Sequence, residues 1–81
     1  MSPREPRLFS VLGFATTHDA LDAEALLGDM GIDVVPVPAP KEVGALCGIA
    51  LRLDPDQQER ALEYLERAGI GVATVVELWD I

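Results

Sequence analysis

Two periodicities alternate along this chain. The apolar run Leu8-Phe9-Ser10-Val11-Leu12-Gly13-Phe14 is too short for a helix and fits a buried strand. The period then lengthens: Ala20, Ala23, Leu27 and Met30 recur at helical spacing, with Leu26 beside them. Thr16 or Thr17 supplies a capping hydroxyl, and Asp19 follows Thr16 by three residues, a capping box with Asp in place of Glu. Asp19, Asp22 and Glu24 load the first turns, where the helix dipole favours negative charge, and Gly31 is placed to end the helix. Ile32–Val35 predicts a second strand. Pro36, Pro38 and Pro40 remove ladder donors, so that strand must end there or run along an edge. Residues 41–46 read as a loop leading to Cys47-Gly48. Ile49-Ala50-Leu51-Arg52-Leu53 alternates as a strand with one apolar face. Asp54-Pro55 is a helix start, Ala61, Leu62, Leu65 and Ala68 form the apolar stripe, and Gly69 stops it. Val72–Trp79 is a last strand.

Strand, helix, strand, strand, helix, strand within about eighty residues is the plan of a ferredoxin-like βαββαβ sandwich, an α+β fold. It predicts two helices on one face of a four-stranded antiparallel sheet. Residues 1–7, with two prolines and three charges, read as a flexible tail, and 8–81 as a single domain.

Charge and composition then narrow the function. At 49% hydrophobic and 25% charged, with mean hydropathy +0.24, the chain is globular in composition. Six Lys and Arg against 14 Asp and Glu leave a net charge of −8 and a pI near 4.3. Nucleic-acid binding needs a basic footprint that is missing here, and an anionic membrane would repel the chain for the same reason. No apolar run is long enough to span a bilayer, and the polar start Met1–Arg7 does not resemble a secretory signal, so a reducing cytoplasm is the expected compartment. One cysteine and one histidine are too few for an intrachain disulfide or a structural metal site, and thiol exchange at a single cysteine would require no metal or organic cofactor. Partners are expected to be proteins or small molecules.

Topology gives the single cysteine a neighbourhood. In a split βαβ unit the first helix begins at the sheet edge where the third strand begins. Cys47 is expected to open that strand, and Thr16, Thr17 and His18 open the helix; the turn Gly69-Ile70-Gly71 belongs to the same edge. Counting by twos places Cys47 with Ile49, Leu51 and Leu53 on the helix-covered face. A helix N-terminus stabilises a thiolate and makes it nucleophilic. In this setting Thr16 and Thr17 cap the helix and present its N–H groups, and His18 is a candidate hydrogen-bond partner or proton donor for the sulfur. Gly48 permits close backbone approach beside it.

The stretch Phe14-Ala15-Thr16-Thr17-His18-Asp19-Ala20-Leu21-Asp22-Ala23-Glu24 resembles the opening of the selenium/sulfur (Se/S) carrier protein-like family of small bacterial domains. The second half of the resemblance is the proline-rich Val37-Pro38-Ala39-Pro40, the pair Lys41-Glu42, and Cys47-Gly48 before an aliphatic strand; together the two span roughly residues 8–78. The resemblance implies that Cys47 carries sulfur as a persulfide, or selenium in its place, between donor and acceptor proteins. Lys41 would then pair with the persulfide anion. Lys41 stands where that family often has Arg, and Gly44, Ala45 and Leu46 where it often has serines.

On the face of the sheet away from the helices, parity places Val35, Val37, Ala50 and Val75, with Arg52 among them, and Trp79 near the rim. Such a surface suits a partner or a second copy of the chain. Two alternatives to a sulfur or selenium relay follow: an interaction or regulatory module in which Cys47 is structural, dimerising through that open face, and a thiol redox switch. A relay is a carrier or binding protein rather than a full enzyme, because no constellation for substrate recognition is visible.

Overall fold

The computed structural model describes residues 7–44 and 48–79. In chain order it contains strand β1 (Leu8–Gly13), helix α1 (Thr17–Asp29), strand β2 (Val34–Pro38), a 3-10 turn (Lys41–Val43), strand β3 (Ile49–Leu53), a second 3-10 turn (Pro55–Gln57), helix α2 (Gln58–Arg67) and strand β4 (Thr74–Trp79). The strands form one sheet in the order β2-β3-β1-β4, and every neighbouring pair is antiparallel. This is the ferredoxin-like arrangement that the element order predicts.

The main core lies between the helices and one sheet face. Leu12, Leu51 and Leu53 from the strands meet Ala20, Ala23 and Leu27 of α1 and Ala61 and Leu65 of α2, with Phe14 and Ile32 closing its ends. Small residues at Ala20, Ala23 and Ala61 let the helix backbones approach the sheet. Both helices stop in the same way. Ile32 N–H reaches Leu27 C=O at 2.9 Å and Ile70 N–H reaches Leu65 C=O at 2.9 Å, each one residue beyond a left-handed glycine. Met30, predicted on the apolar stripe, is instead the exposed C-terminal cap of α1, and Ala68 is likewise an exposed cap on α2. Ser10, buried on the same sheet face, donates its hydroxyl to Gln58 Oε1 at 2.6 Å, so its polar atom is satisfied.

β2 runs through its prolines. Val34 pairs with Leu53 and Pro38 with Ile49, and Ala39 N–H donates to Gly48 C=O at 3.0 Å, which continues the same register. Ladder bonds in an antiparallel pair fall on alternate residues. Here they fall on the odd positions, so Pro36, Pro38 and Pro40 occupy positions whose nitrogens face away from the sheet. The strand is an edge strand, and its outer side is stripped of donors that a further strand would need.

The other sheet face differs from the sequence expectation in two ways. Register puts Val11, Val35, Arg52 and Val76 in one row and Val37, Ala50, Gly13 and Thr74 in the next. Val75 therefore shares the helix-side face with Leu12, and Val76 and Leu78 lie where Val75 was expected. Trp79 pairs with Leu8 on the helix-side parity as well and is 64% exposed at the rim. The strand begins at Thr74 rather than Val72, but the error is one of parity: an apolar run such as Val75-Val76 does not announce which of its members turns inward.

Nor is this face bare. The 3-10 turn after β2 folds across it, and Val43 joins Val11 and Ala50 in a second small core, with Val37, Ala39, Val76 and Leu78 packed around it. Further along the face, Phe9 is covered by the guanidinium groups of Arg52 and Arg7, 4.4 and 4.9 Å from its ring centre. Arg7, read from sequence as the last tail residue, also pairs with Asp54. The rest of the expected tail, residues 1–6, lies outside the described residues.

Candidate functional site

One end of the sheet collects most of the residues singled out from sequence. β1 ends there at Gly13, which pairs with Ala50 near the start of β3 and with Thr74 at the start of β4. α1 starts a few residues beyond Gly13, and Pro38 and Ala39 bring the end of β2 to the same level. Thr16, Thr17, His18, Lys41 and Gly48 all belong to this end. Cys47 lies outside the described residues. The described residues on either side of it are Gly44, three positions before, and Gly48, the next residue.

Thr16 is the N-cap: its extended backbone leads into α1 and its Oγ1 accepts from Asp19 N–H at 3.1 Å. Thr17 is the first helical residue and is exposed. His18 is exposed as well, and its Nε2 lies 3.1 Å from Asp22 Oδ2, one turn along the helix. The imidazole is thus engaged along the surface of α1. Thr16→Ala is expected to lower stability by about 1 kcal/mol through loss of the cap. Urea unfolding followed by circular dichroism measures this, and an unchanged midpoint would show that the cap is redundant.

Lys41 opens the 3-10 turn that follows β2 and is exposed. The turn ends at Gly44, whose φ of 62° is left-handed, and Lys41 C=O accepts from Gly44 N–H at 3.2 Å. Gly48 has φ +77° and is exposed. This corrects two expectations about the third strand. It begins at Ile49, not at Cys47. The count by twos also cannot be carried back from Ile49, because a left-handed residue breaks the extended alternation on which it rests. Side chains are rarely tolerated in that conformation, so Gly48 has a backbone role in the connection.

The residues missed from sequence are Gly13 and Val43. A Cβ at Gly13 would stand 2.3 Å from Val43 Cγ1, well inside contact distance. Val43 is 4% exposed, although Lys41, Glu42 and Gly44 around it are exposed. The one signal in the sequence was a branched apolar residue isolated in a polar turn.

At the opposite end of the sheet, Arg7, Phe9, Asp33, Val35, Arg52, Leu53 and Asp54 line a cleft of about 210 Å³. It contains none of Thr16, Thr17, His18, Lys41 and Gly48, although Val35 and Arg52 of the expected partner surface line it, and its lining carries two arginines and two aspartates. Among the described residues no group of three or more His, Cys, Asp or Glu side chains is placed to hold a metal ion.

The family model described as "Putative Se/S carrier protein-like" matches residues 10–77. The chain belongs to this family. The matched span of the Se/S carrier-like family runs from within β1 into β4 and includes α1 with its cap, the proline-bearing edge strand and the connection containing Cys47. Comparison with curated proteins finds no match, and comparison with solved structures finds none either. No helix among the described residues is long and apolar enough to cross a membrane.

Proposed function

We propose that this chain carries sulfur, or selenium in its place, on Cys47, receiving it from one protein and passing it to another. Membership of the Se/S carrier-like family over residues 10–77 is the observation that carries the reading. The sequence supports it, because Cys47 is the only cysteine and therefore the only thiol able to take part.

The chemistry is thiol exchange. The Cys47 thiolate attacks the terminal sulfur of a donor persulfide. A new S–S bond forms on Cys47, the donor S–S bond breaks, and its electron pair leaves with the donor thiolate. No net oxidation occurs. A thiol on the acceptor protein repeats the step in the opposite sense. The residues at this end of the sheet have simple roles in such a carrier. The α1 N-terminus capped by Thr16, with Thr17 at its first position, offers positive potential to an anion. Lys41 adds a point charge. His18, engaged with Asp22, is a reserve donor at the helix surface, and Gly48 shapes the backbone beside the cysteine. Donor and acceptor proteins are the partners, and the net charge of −8 favours partners with basic docking surfaces.

The test is direct. Reduced protein is incubated with a cysteine desulfurase and cysteine, and its intact mass is measured without reductant. The expected result is a gain of one sulfur atom, removed by reductant and lost completely in Cys47→Ser. Absence of the gain in the native chain, with Cys47 also unreactive to alkylating reagents, would overturn the carrier reading in favour of a structural cysteine. A disulfide-linked dimer as the sole product would instead indicate a redox switch.

A further inference from the structure

We infer that the outer edge of β4 takes an extended segment of a partner protein as a fifth, antiparallel strand, one whose side chains read apolar, basic, apolar at alternate positions. The inference stands apart from the chemistry at Cys47.

The two edges of the sheet are unlike. The bond from Ala39 N–H to Gly48 C=O fixes the bonded pairs between β2 and β3 at Val37 with Ala50 and Val35 with Arg52. Backbone direction alternates along each strand, so Leu51 and Leu53 bond towards β1, to Leu12 and Ser10. Phe9, Val11 and Gly13 then bond towards β4, and Gly13 C=O does accept from that side, from Ala73 N–H at 2.8 Å. The groups left over point out of the sheet. On β2 they belong to Val34, Pro36 and Pro38, and the two prolines have no N–H. On β4 they belong to Val75, Glu77 and Trp79, each of which keeps both N–H and C=O. Among the described residues no strand lies beyond β4. One edge is closed to a further strand and the other is open.

The same residues set what the open edge accepts. Val75, Glu77 and Trp79 share the helix-side face and are all exposed, because α1 packs against β2, β3 and α2 and leaves β4 uncovered. An incoming antiparallel strand places one side chain opposite each of them. Val75 and Trp79 offer apolar area. Glu77 between them has no ion-pair partner among the described residues. Charge complementarity therefore calls for Lys or Arg opposite Glu77, with apolar residues two positions away on either side. A second copy of the chain does not supply this pattern. A two-fold antiparallel pairing joins outward residues to outward residues, so Glu77 meets either its own counterpart or an uncharged residue such as Val75 or Trp79. It also brings together two chains of net charge −8.

Trp79 is the only tryptophan in the chain, so its fluorescence reports on this edge directly. The probe is the terminally blocked peptide Thr-Val-Thr-Lys-Thr-Phe-Thr, titrated to about 1 mM against the full chain. Antiparallel pairing sets its valine against Trp79, its lysine against Glu77 and its phenylalanine against Val75. The expected result is a saturable blue shift of the Trp79 emission. N-methylation of the lysine, whose amide faces β4, should weaken binding by at least about tenfold. N-methylation of the threonine after it, whose amide faces solvent, should leave binding unchanged. Glu77→Lys should bind this peptide about tenfold more weakly and prefer the peptide with glutamate in place of lysine. Val75→Lys should also weaken binding, whereas Leu21→Lys, the same change at an exposed residue of α1, should bind as the native chain does. Circular dichroism confirms that each variant is folded. Absence of the shift, equal binding of the two N-methylated peptides, or an unchanged preference in Glu77→Lys overturns the inference. A native chain that sediments as a dimer, and as a monomer in Val75→Lys, assigns the edge to a second copy and overturns it as well. Sulfur loading of Cys47 is scored separately: a chain that takes no sulfur yet binds the peptide loses the carrier reading and keeps this edge, and the opposite pair of results does the reverse.

Discussion

Gly13→Ala is expected to lower the unfolding free energy by about 2–3 kcal/mol, a large overpacking penalty for one methyl group. The new Cβ would meet Val43 Cγ1 at 2.3 Å and Thr74 Cβ at 3.4 Å. Thr74 sits on a paired strand and cannot retreat easily, so Val43 must leave its seat and its apolar contacts with Val11 and Ala50 are lost with it. Val43→Ala alone should cost about 1–2 kcal/mol, the usual range for trimming a buried branched side chain. The two losses should not add. Once the clashing methyl of Val43 is gone, the alanine at 13 fits the space it leaves, and the double variant should recover at least about 1 kcal/mol relative to the sum of the single losses. Urea unfolding of the native chain, both single variants and the double variant closes this cycle. Strict additivity would mean that the contact is not formed in solution.

Leu12→Ala is expected to cost about 3–4 kcal/mol, the larger of the two effects. Leu12 is fully buried and stands between Leu51 and Val75 on its neighbouring strands, in the core that the sheet shares with both helices. Its removal leaves a cavity in a core that the surrounding paired strands hold in place, so little can collapse into it. For a domain of this size the total stability is roughly 4–12 kcal/mol, so the variant sits near its unfolding threshold at room temperature. Val75→Ala provides the comparison. It lies in the same row of the same face but is 40% exposed, because the helices do not extend over β4. Its cost should stay below about 1 kcal/mol. Equal losses at the two positions would contradict the placement of the core.

Much of this architecture is legible in the chain because its signals are local. Thr16 followed by Asp19, and glycine at positions 31 and 69, mark helix ends through hydrogen bonds that close within one turn. Asp54-Pro55 marks a start for the same reason, although the first turn it opens is 3-10 before α2 begins. Alternation in Ile49–Leu53 marks which side of β3 faces the main core, although Ala50 on the other side is buried as well, in the small core with Val43. The prolines of β2 were legible as an edge condition, since a residue without an N–H cannot serve an interior ladder. Where the reading failed, the deciding partner was distant in sequence. Val75 and Val76 are chemically identical, and only the pairing of Val76 with Val11 assigns them to opposite faces.

The sequence by itself determined the order and type of the elements, the ferredoxin-like plan, the acidic character of the chain, its single thiol and its family. These follow from backbone periodicity, local capping, composition and motif, none of which needs a long-range contact. Only the tertiary structure decided that the 3-10 turn after β2 packs on the open sheet face, that Gly13 and Ala50 form a notch for Val43, and that Gly48 interrupts the alternation before β3. The reason is physical. Whether a small residue leaves a hole or a useful seat depends on which side chain arrives from another part of the chain, and that is set by the packing of the whole sheet.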